Sequence, residues 1–128
     1  MTEAQAGATP FTVMGGREGI DRVVEAFYAH VEADVVLRPV YPENLEPGKT
    51  HLKLYLEEWL GGAPVYSTEF GHPRLRMRHL PFRVTPEGTG RWLRHMRLAM
   101  QECGVDEATA RQVFAAMGPL ARHMINAE

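Results

Sequence analysis

Four segments of this chain carry apolar residues at the three- and four-residue spacing of an amphipathic α-helix, and this pattern constrains the fold most strongly. Almost no segment shows the two-residue alternation of a half-buried strand. A length of 128 residues suits one domain with a single core. The sequence therefore predicts an all-α domain. The four apolar stripes comprise Ile20, Val23, Val24, Phe27, Tyr28 and Val31; Leu52, Tyr55, Leu56, Trp59 and Leu60; Trp92, Leu93, Met96, Ala99, Met100 and Cys103; and Val113, Phe114, Met117, Leu120, Ala121, Met124 and Ile125.

Glycine, proline and one aspartate mark the ends of the predicted helices. Glycine commonly follows the last turn of a helix, and proline is tolerated in the first turn or beyond the end. Asp106 suits the N-cap of the fourth helix because its carboxylate can accept a backbone N–H. In chain order, the predicted boundaries are Gly15-Gly16 and Asp34 to Pro39, Pro47-Gly48 and Gly61-Gly62, Pro86-Glu87 and Gly104, and Asp106.

The segments between the helices are longer than those of a simple four-helix bundle and favour a more irregular arrangement. Residues 61–72 are predicted to form a loop. Residues 73–81, PRLRMRHLP, have room for two helical turns, and their alternation of arginine with apolar residues is also compatible with a short strand. Residues 1–10 are predicted to be a loose N-terminal extension, which leaves residues 11–128 as the domain.

Composition excludes several classes of protein. The net charge is −2, and no uncharged apolar run approaches the roughly 18 residues that a membrane span requires. The N-terminus lacks the basic start and apolar stretch of a secretory signal. A single cysteine, Cys103, excludes an internal disulfide framework and a cysteine-rich zinc site. We therefore expect a cytoplasmic protein with no membrane partner.

One stretch is strongly basic within this slightly acidic chain. Residues 72–97 contain seven arginines and a single acid, Glu87. A basic helix that carries Trp92 could bind nucleic acid, but twelve arginines against two lysines indicate a composition bias rather than a phosphate site. We expect a solvated face and no nucleic-acid partner. A gel shift whose affinity falls steeply with salt would indicate the opposite.

The six histidines do not show the spacing of a multi-histidine metal site, such as HExxH or HxxxH. A single histidine can still bind iron when a haem macrocycle supplies four nitrogens. His79 suits that role because Pro73 and Pro81 restrict the segment on either side. The alternative is that His79 simply faces solvent. Guanidinium groups suited to haem propionates lie in the same segment, at Arg74, Arg76 and Arg78.

Three aromatic side chains with polar tips fall on or near the apolar helix faces: Tyr28, Tyr41 and Trp92. A Tyr hydroxyl or an indole N–H is costly to bury without a partner. The three groups could converge on one bound ligand, or each could donate to a backbone carbonyl. Helical periodicity does not distinguish these alternatives.

Several motifs occur in a fixed order along the chain: Gly15-Gly16, Phe27-Tyr28, LRPVYPE at 37–43, LYLEEWLGG at 54–62, GHPRLRMRHLPFRV at 71–84 and RWLRHM at 91–96. In these motifs, and from about residue 11 onward, the chain resembles the group II truncated haemoglobins of bacteria, and residues 71–84 are similar to the proximal segment of that family. The resemblance implies a two-over-two helical sandwich, a shortened globin, around non-covalently bound haem b.

The resemblance also implies roles on the two faces of the haem. His79 matches the proximal ligand of the iron. Tyr28, Tyr41 and Trp92 match the three distal hydrogen-bonding positions. Gly48 falls, to within one position, where ordinary globins carry a distal histidine, and its small size would leave a gap in the distal wall for ligand entry.

The remaining implied positions surround the haem, with Leu52 packed over the iron. The sequence departs from the family at His51, where Arg or Lys is frequent, and at Trp59-Leu60, where Tyr-Trp is usual. Candidates for the lining of the haem slot are Phe27, Tyr55, Met77, Phe82 and Leu93, and candidates for contacts with the propionates are Tyr66, Arg78 and His51.

The resemblance implies binding of O2, NO, CO or peroxide, with high O2 affinity and slow O2 release. Candidate reactions are the oxidation of NO to nitrate by O2 and the reduction of peroxide. Because the sequence has no flavin or nicotinamide motif, turnover would require a separate reductase. The alternative is a ligand sensor or O2 reservoir without turnover. We expect a monomer or a weak homodimer.

Overall fold

The computed structural model describes residues 9–128, and these contain seven α-helices, one short 3-10 helix and no strand. The predicted all-α class is confirmed. Residues 1–8 of the extension that was expected to be loose lie outside the described residues. The elements are α1 (Pro10–Val13), α2 (Gly16–Ala33), the 3-10 helix (Arg38–Val40), α3 (Glu46–Trp59), α4 (Val65–Phe70), α5 (Leu75–His79), α6 (Pro86–Glu102) and α7 (Glu107–His123).

The four long helices, α2, α3, α6 and α7, are those predicted from the apolar stripes. α2 packs against both α3 and α6, and α7 packs against α6. Their apolar faces meet in one core, in which Ile20, Phe27 and Leu56 are fully buried. The pairs α2–α3 and α6–α7 form the two layers of a sandwich, so burial of each stripe requires the neighbouring helix. Within residues 9–128, no helix combines the length and the apolar character needed to cross a membrane.

The caps of the long helices mostly follow the predicted boundaries. The Asp106 carboxylate accepts the backbone N–H of Thr109 at 3.0 Å and begins α7 as expected. α3 begins slightly earlier than predicted, at Glu46, so Pro47 and Gly48 lie inside its first turn. Proline is tolerated there because the first N–H groups of a helix have no intrahelical acceptor.

Two short helices contradict the sequence prediction. α1 begins at Pro10, within the extension predicted to be loose, and the backbone N–H of Phe11 donates to the Leu60 carbonyl oxygen at 2.9 Å. α4 occupies Val65–Phe70, inside the loop predicted at residues 61–72. Helices of four and six residues are too short to display a full apolar period, and contacts with the rest of the fold stabilise them.

The segment PRLRMRHLP forms a helix, and the strand alternative is wrong. α5 covers Leu75–His79, and Arg74 before it has a left-handed backbone with φ of 46°. The backbone N–H of Arg74 donates to Nδ1 of His72 at 3.0 Å. This side chain stabilises a conformation that is unfavourable for a residue with a Cβ.

Both glycine pairs form the sharp turns expected of them. Gly15 and Gly16 have φ of 99° and 68°, and Gly61 has φ of 104°. These angles lie in the left-handed region that glycine tolerates without a steric penalty. The first pair forms the connection between α1 and α2, and the second lies between α3 and α4.

Candidate functional site

The structure brings together the aromatic side chains whose convergence the sequence left undecided. The rings of Tyr28 on α2 and Tyr41 after the 3-10 helix meet edge to face with centroids 5.8 Å apart. Phe27 contacts Tyr28 at 5.4 Å on one side and Trp92 of α6 at 5.0 Å on the other. The cluster thus joins α2, α6 and the turn after the 3-10 helix, and we call these four residues the distal cluster.

The hydroxyl groups of the distal cluster are protonated at neutral pH. Burial raises the pKa of Tyr28 to about 12. Burial and the adjacent Tyr28 also raise the pKa of Tyr41, while a hydrogen bond with Trp92 acts in the opposite direction. Both tyrosines can therefore act as hydrogen-bond donors, since a phenol loses that ability only on ionisation.

The Tyr28 hydroxyl lies directly beside Gly48 on the first turn of α3. A Cβ added at Gly48 would be 2.8 Å from this hydroxyl oxygen and 3.7 Å from the ring carbon that bears it. A side chain at residue 48 would therefore require the Tyr28 hydroxyl to shift. The Tyr28 hydroxyl therefore lies at the position that a side chain at residue 48 would enter.

His79, the last residue of α5, has its ring oriented by a backbone hydrogen bond. Its Nδ1 lies 2.6 Å from the Leu75 carbonyl oxygen, one helical turn earlier. A carbonyl can only accept, so Nδ1 donates and the neutral ring keeps its lone pair on Nε2. Among the described residues, Nε2 has no hydrogen-bond partner. Histidines that ligate metals commonly have this arrangement.

Apolar side chains around His79 are exposed to an unusual degree. Met77 is 59% exposed, Leu80 57% and Phe82 40%. Large apolar groups clustered on one short segment generally mark a surface that binds an apolar molecule. Met77 and Phe82 are two of the residues expected to line the haem slot, and Leu80 belongs to the same surface although the sequence did not single it out.

The candidates for the propionates fall into two separate groups. On one side, His51 of α3 contacts the rings of Phe70 and Tyr66 of α4, with centroids 4.6 and 6.2 Å away. Tyr66 is buried and meets Tyr55 at 5.8 Å. On the other side, Arg78 of α5 donates from Nε to the Pro73 carbonyl oxygen at 2.8 Å. The first group consists of aromatic side chains that join α4 to α3, whereas Arg78 bonds to the backbone of Pro73 just before its own helix.

The remaining candidate residues lie at different depths. Phe27 is fully buried inside the core rather than at its edge. Leu52, Tyr55 and Leu93 are partly buried and pack against the core. Burial raises the pKa of Tyr55 to about 12, with Tyr66 and Glu58 adding to the shift. Leu52 and Leu93 thus stand at the boundary between the core and the site.

A buried carboxylate next to the distal cluster was missed by the sequence analysis. Asp34, at the end of α2, accepts hydrogen bonds from the backbone of Val36 and Leu37 at 2.8 and 3.2 Å. On α6, Arg91 Nη1 and His95 Nε2 lie 3.2 and 2.6 Å from its two oxygens. Burial opposes ionisation of Asp34, but these hydrogen bonds outweigh it and hold its pKa well below the ordinary range. Arg91 and His95 flank Trp92 on α6, so Asp34 fixes the stretch of helix that carries the indole.

No local sequence signal could have revealed this network, because Asp34 is separated by 57 residues from Arg91 and by 61 from His95. The ring of His30, on α2, also stacks on His95 at 5.8 Å, and its Nε2 contacts Glu102 at 2.7 Å. The network therefore joins α2 to α6 through groups that are scattered in the sequence.

The site has the features that haem requires of a protein. The hydrogen bond at Nδ1 leaves Nε2 of His79 available to a metal, and the exposed apolar side chains of Met77, Leu80 and Phe82 can cover a macrocycle. The Tyr28 hydroxyl has no hydrogen-bond partner among the described residues and remains able to donate. The residues present therefore fit the group.

Comparison with known proteins agrees with this geometry. The sequence model of the bacterial-like globin family matches residues 9–126. The group 2 truncated hemoglobin YjbI of Bacillus subtilis strain 168 is 38% identical over 111 residues, which are 87% of this chain and 84% of that protein.

Solved structures show the same architecture. The group II truncated haemoglobin of Bacillus anthracis aligns with a TM-score of 0.90 at 39% identity, over 93% of this chain and 97% of its own. A truncated oxygen-avid haemoglobin from Bacillus subtilis aligns with a TM-score of 0.87 at 36% identity, over 93% and 100% of the two chains. The family indicates haem as the cofactor and diatomic molecules as the ligands. This chain belongs to the bacterial-like globin family, as a group II truncated haemoglobin.

Proposed function

We propose that this protein holds haem b non-covalently, binds O2 with high affinity and slow release, and uses bound ligands in redox chemistry with NO or peroxide. The observation that carries the proposal is the distal cluster, in which three polar aromatic side chains from separate elements lie together. Haem, when bound, supplies a redox-active iron that binds O2, NO, CO or peroxide. The Bacillus subtilis relative described as oxygen-avid supports the affinity.

His79 is the proposed axial ligand, through Nε2. The hydrogen bond from Nδ1 to the Leu75 carbonyl fixes the tautomer and the orientation of the ring. A ring oriented in this way loses little freedom on binding a metal, and its donated proton makes the imidazole more basic.

Tyr28 is the proposed principal donor to the ligand. Its hydroxyl is protonated and free of partners among the described residues, and the residue as a whole is buried within the distal cluster. A hydrogen bond to a partly charged acceptor contributes roughly 1.5–3 kcal/mol, which corresponds to about a ten- to hundredfold slower ligand dissociation. Trp92 and Tyr41 are the other proposed donors on the same face.

The haem slot is proposed to be lined by the residues that the family resemblance implied. Leu52 and Leu93 would contact the distal side, and Met77 and Phe82 the proximal side, as their exposure at the edge of the core supports. Tyr55 and Phe27 complete the proposed lining, and His51, Tyr66 and Arg78 the proposed propionate contacts.

The same donors support chemistry on ligands that carry an O–O bond. A phenol or an indole N–H directed at one oxygen polarises that bond, and positioned donors of this kind act most strongly in a site from which water is excluded. Oxidation of NO to nitrate and reduction of peroxide are the proposed reactions. Both consume electrons over a cycle, so we propose that a separate reductase supplies them.

Absorption spectra of the ferric, ferrous and ferrous–CO protein test the proposal. We expect a Soret band with a histidine-ligated ferrous–CO form in the wild type and its loss or alteration in His79→Ala. His123→Ala is the matched control, because His123 is an exposed histidine at the end of α7. Absence of a Soret band after addition of hemin would overturn the haem proposal. A stable O2 complex that neither NO nor peroxide consumes in the presence of a reductant would overturn the redox proposal and favour storage or sensing.

A further inference from the structure

We propose that Asn126 is a positioning residue for His79, and that the segment around it clamps the proximal helix α5 from outside. The inference rests on the proposed role of His79 as the haem ligand. We call Arg76, Asn126 and the backbone of Val84 the proximal clamp. Asn126 lies 47 residues from His79 in the sequence, so no local motif connects the two.

Asn126 uses every polar atom of its side chain on the segment that contains His79. Its Nδ2 donates to the carbonyl oxygens of His79 at 3.2 Å and Phe82 at 3.0 Å. Its Oδ1 accepts the backbone N–H of Val84 at 3.0 Å. The amide fits these partners in one orientation only. Its nitrogen can only donate and must face the two carbonyls, and its oxygen can only accept and must face the Val84 N–H.

Backbone hydrogen bonds and an arginine strengthen the same connection. The backbone N–H groups of Asn126 and Ala127 both donate to the Val84 carbonyl oxygen, at 3.0 and 3.1 Å. From the other direction, Arg76 Nη1 donates to the carbonyl oxygens of His123 at 2.7 Å and Ile125 at 3.2 Å. The proximal clamp thus holds α5 near its beginning, at its last residue and just beyond its end.

α5 needs external support because it is short. It has five residues, its N-cap side chain makes no capping hydrogen bond, and the preceding Arg74 has an unfavourable left-handed backbone. An isolated helix of this length is not stable in water. Of the helices in the described region, α5 is also among those least packed against a neighbour. A metal ligand requires a defined position, and groups outside its own helix must supply it here.

A purely structural role would give a different result from the positioning role. If Asn126 only anchored the end of the chain, its loss would lower stability without changing how the His79 ring meets the iron. If it positions His79, loss of the bond to the His79 carbonyl changes the strength of the iron–histidine bond. The iron–histidine stretching band of the ferrous protein in resonance Raman spectra reports this bond directly.

Two variants separate the contributions of the amide. Asn126→Asp keeps the acceptor for Val84 but places a carboxylate oxygen against the two carbonyls, whereas Asn126→Ala removes all three side-chain hydrogen bonds. The matched control is Asn44→Ala, which removes one side-chain hydrogen bond to the backbone N–H of Glu46 far from α5 in the sequence. A general loss of stability would affect the control as well.

We expect the iron–histidine band to shift in both Asn126 variants and to stay in place in Asn44→Ala. We also expect hemin transfer to an apoglobin acceptor to be about fivefold faster in Asn126→Ala, the factor given by loss of the one ordinary hydrogen bond that Asn126 makes to the His79 carbonyl. In the haem-free protein, hydrogen exchange at the Val84 amide should accelerate in Asn126→Ala but not in Asn126→Asp, which keeps its acceptor.

An unshifted band in both Asn126 variants would overturn the inference, as would an equal shift in Asn44→Ala. If Asn126→Ala does not fold, the band of Asn126→Asp decides. Failure of the proposed function would give a different result. The wild-type protein itself would show no Soret band, and His79 would then have no haem iron for Asn126 to position it against.

Discussion

The Tyr28 hydroxyl shows how far single residues could be understood from the sequence. Its residue type and its place in the apolar stripe of α2 indicated a buried donor. Its neighbours could not be read in the same way, because the rings of Tyr41 and Trp92 come from other elements. Sequence periodicity gives the face of a helix on which a side chain lies, while its contacts depend on how the helices cross.

Removal of a distal donor should accelerate O2 release. We expect Tyr28→Phe to raise the O2 dissociation rate at least about tenfold, because a hydrogen bond to a charged group is lost. Trp92→Phe should also raise the rate, since the indole N–H is one of the proposed donors of the distal cluster. Stopped-flow measurement of O2 displacement by CO checks both variants, with Trp59→Phe as the matched control at a tryptophan outside the distal cluster. Unchanged rates in both variants would contradict the proposed role of the cluster.

Enlargement of Gly48 should displace the same hydroxyl. The Cβ of Gly48→Ala would lie 2.8 Å from the Tyr28 oxygen, so the ring must move and the donor loses its position. We expect faster O2 dissociation, measured by the same method. Gly90→Ala is the matched control, because a Cβ at Gly90 meets no atom within 4 Å. Equal rates in Gly48→Ala and the wild type would show that the Tyr28 hydroxyl does not contact the ligand.

At the scale of the helices, the junction between α2 and α6 depends on one carboxylate. Asp34 caps the turn after α2 and pairs with Arg91 and His95 on α6. The Asp34 carboxylate is only 3% exposed, so loss of its charge would leave buried donors without an acceptor. The position of Trp92 between the two partners links this junction to the distal cluster.

Acid should weaken the junction between α2 and α6, and the lowered pKa of Asp34 gives the direction in which stability changes with pH. The pKa of Asp34 is lowered in the folded protein, so below the ordinary pKa of about 4 the unfolded chain binds more protons than the folded one. The stabilisation is fully present above that pKa and is lost progressively as the pH falls below it. Urea unfolding at several pH values should show a smaller acid-induced loss of unfolding free energy in Asp34→Asn than in the wild type.

The control for this experiment is Asp21→Asn, at an aspartate that pairs with Lys53 on the surface and is 55% exposed. We expect the pH dependence of its unfolding free energy to resemble that of the wild type, since exposed ion pairs contribute little. If Asp34→Asn and the wild type lose stability in parallel below pH 4, the buried network is not what acid disrupts.

At the scale of the whole molecule, the long helices were predictable and the short ones were not. α2, α3, α6 and α7 each bury a stripe long enough to show a helical period. α1 and α4 have no such stripe, and they form because α1 is tied to Leu60 and α4 packs its aromatic side chains against α3. The sequence motifs around His79 identified the family, but the clamp from Asn126 depends on tertiary contacts alone.

Haem binding should stabilise the whole fold. A ligand present at about a hundred times its Kd adds about 2.7 kcal/mol to the free energy of unfolding, which for a domain of this size corresponds to a rise in Tm of roughly 10 °C. Thermal unfolding followed by circular dichroism, with and without hemin, checks this. His79→Ala should gain less than His123→Ala, and equal gains would indicate non-specific binding of hemin to the apolar surface around Met77 and Leu80.

The close approach between Gly48 and Tyr28 has an evolutionary consequence. Substitutions at the two positions are coupled, because a side chain at 48 would displace the Tyr28 hydroxyl from its present position. The effect of a larger residue at 48 on the donor therefore depends on which residue stands at 28, and a substitution at one position changes the selective value of a substitution at the other.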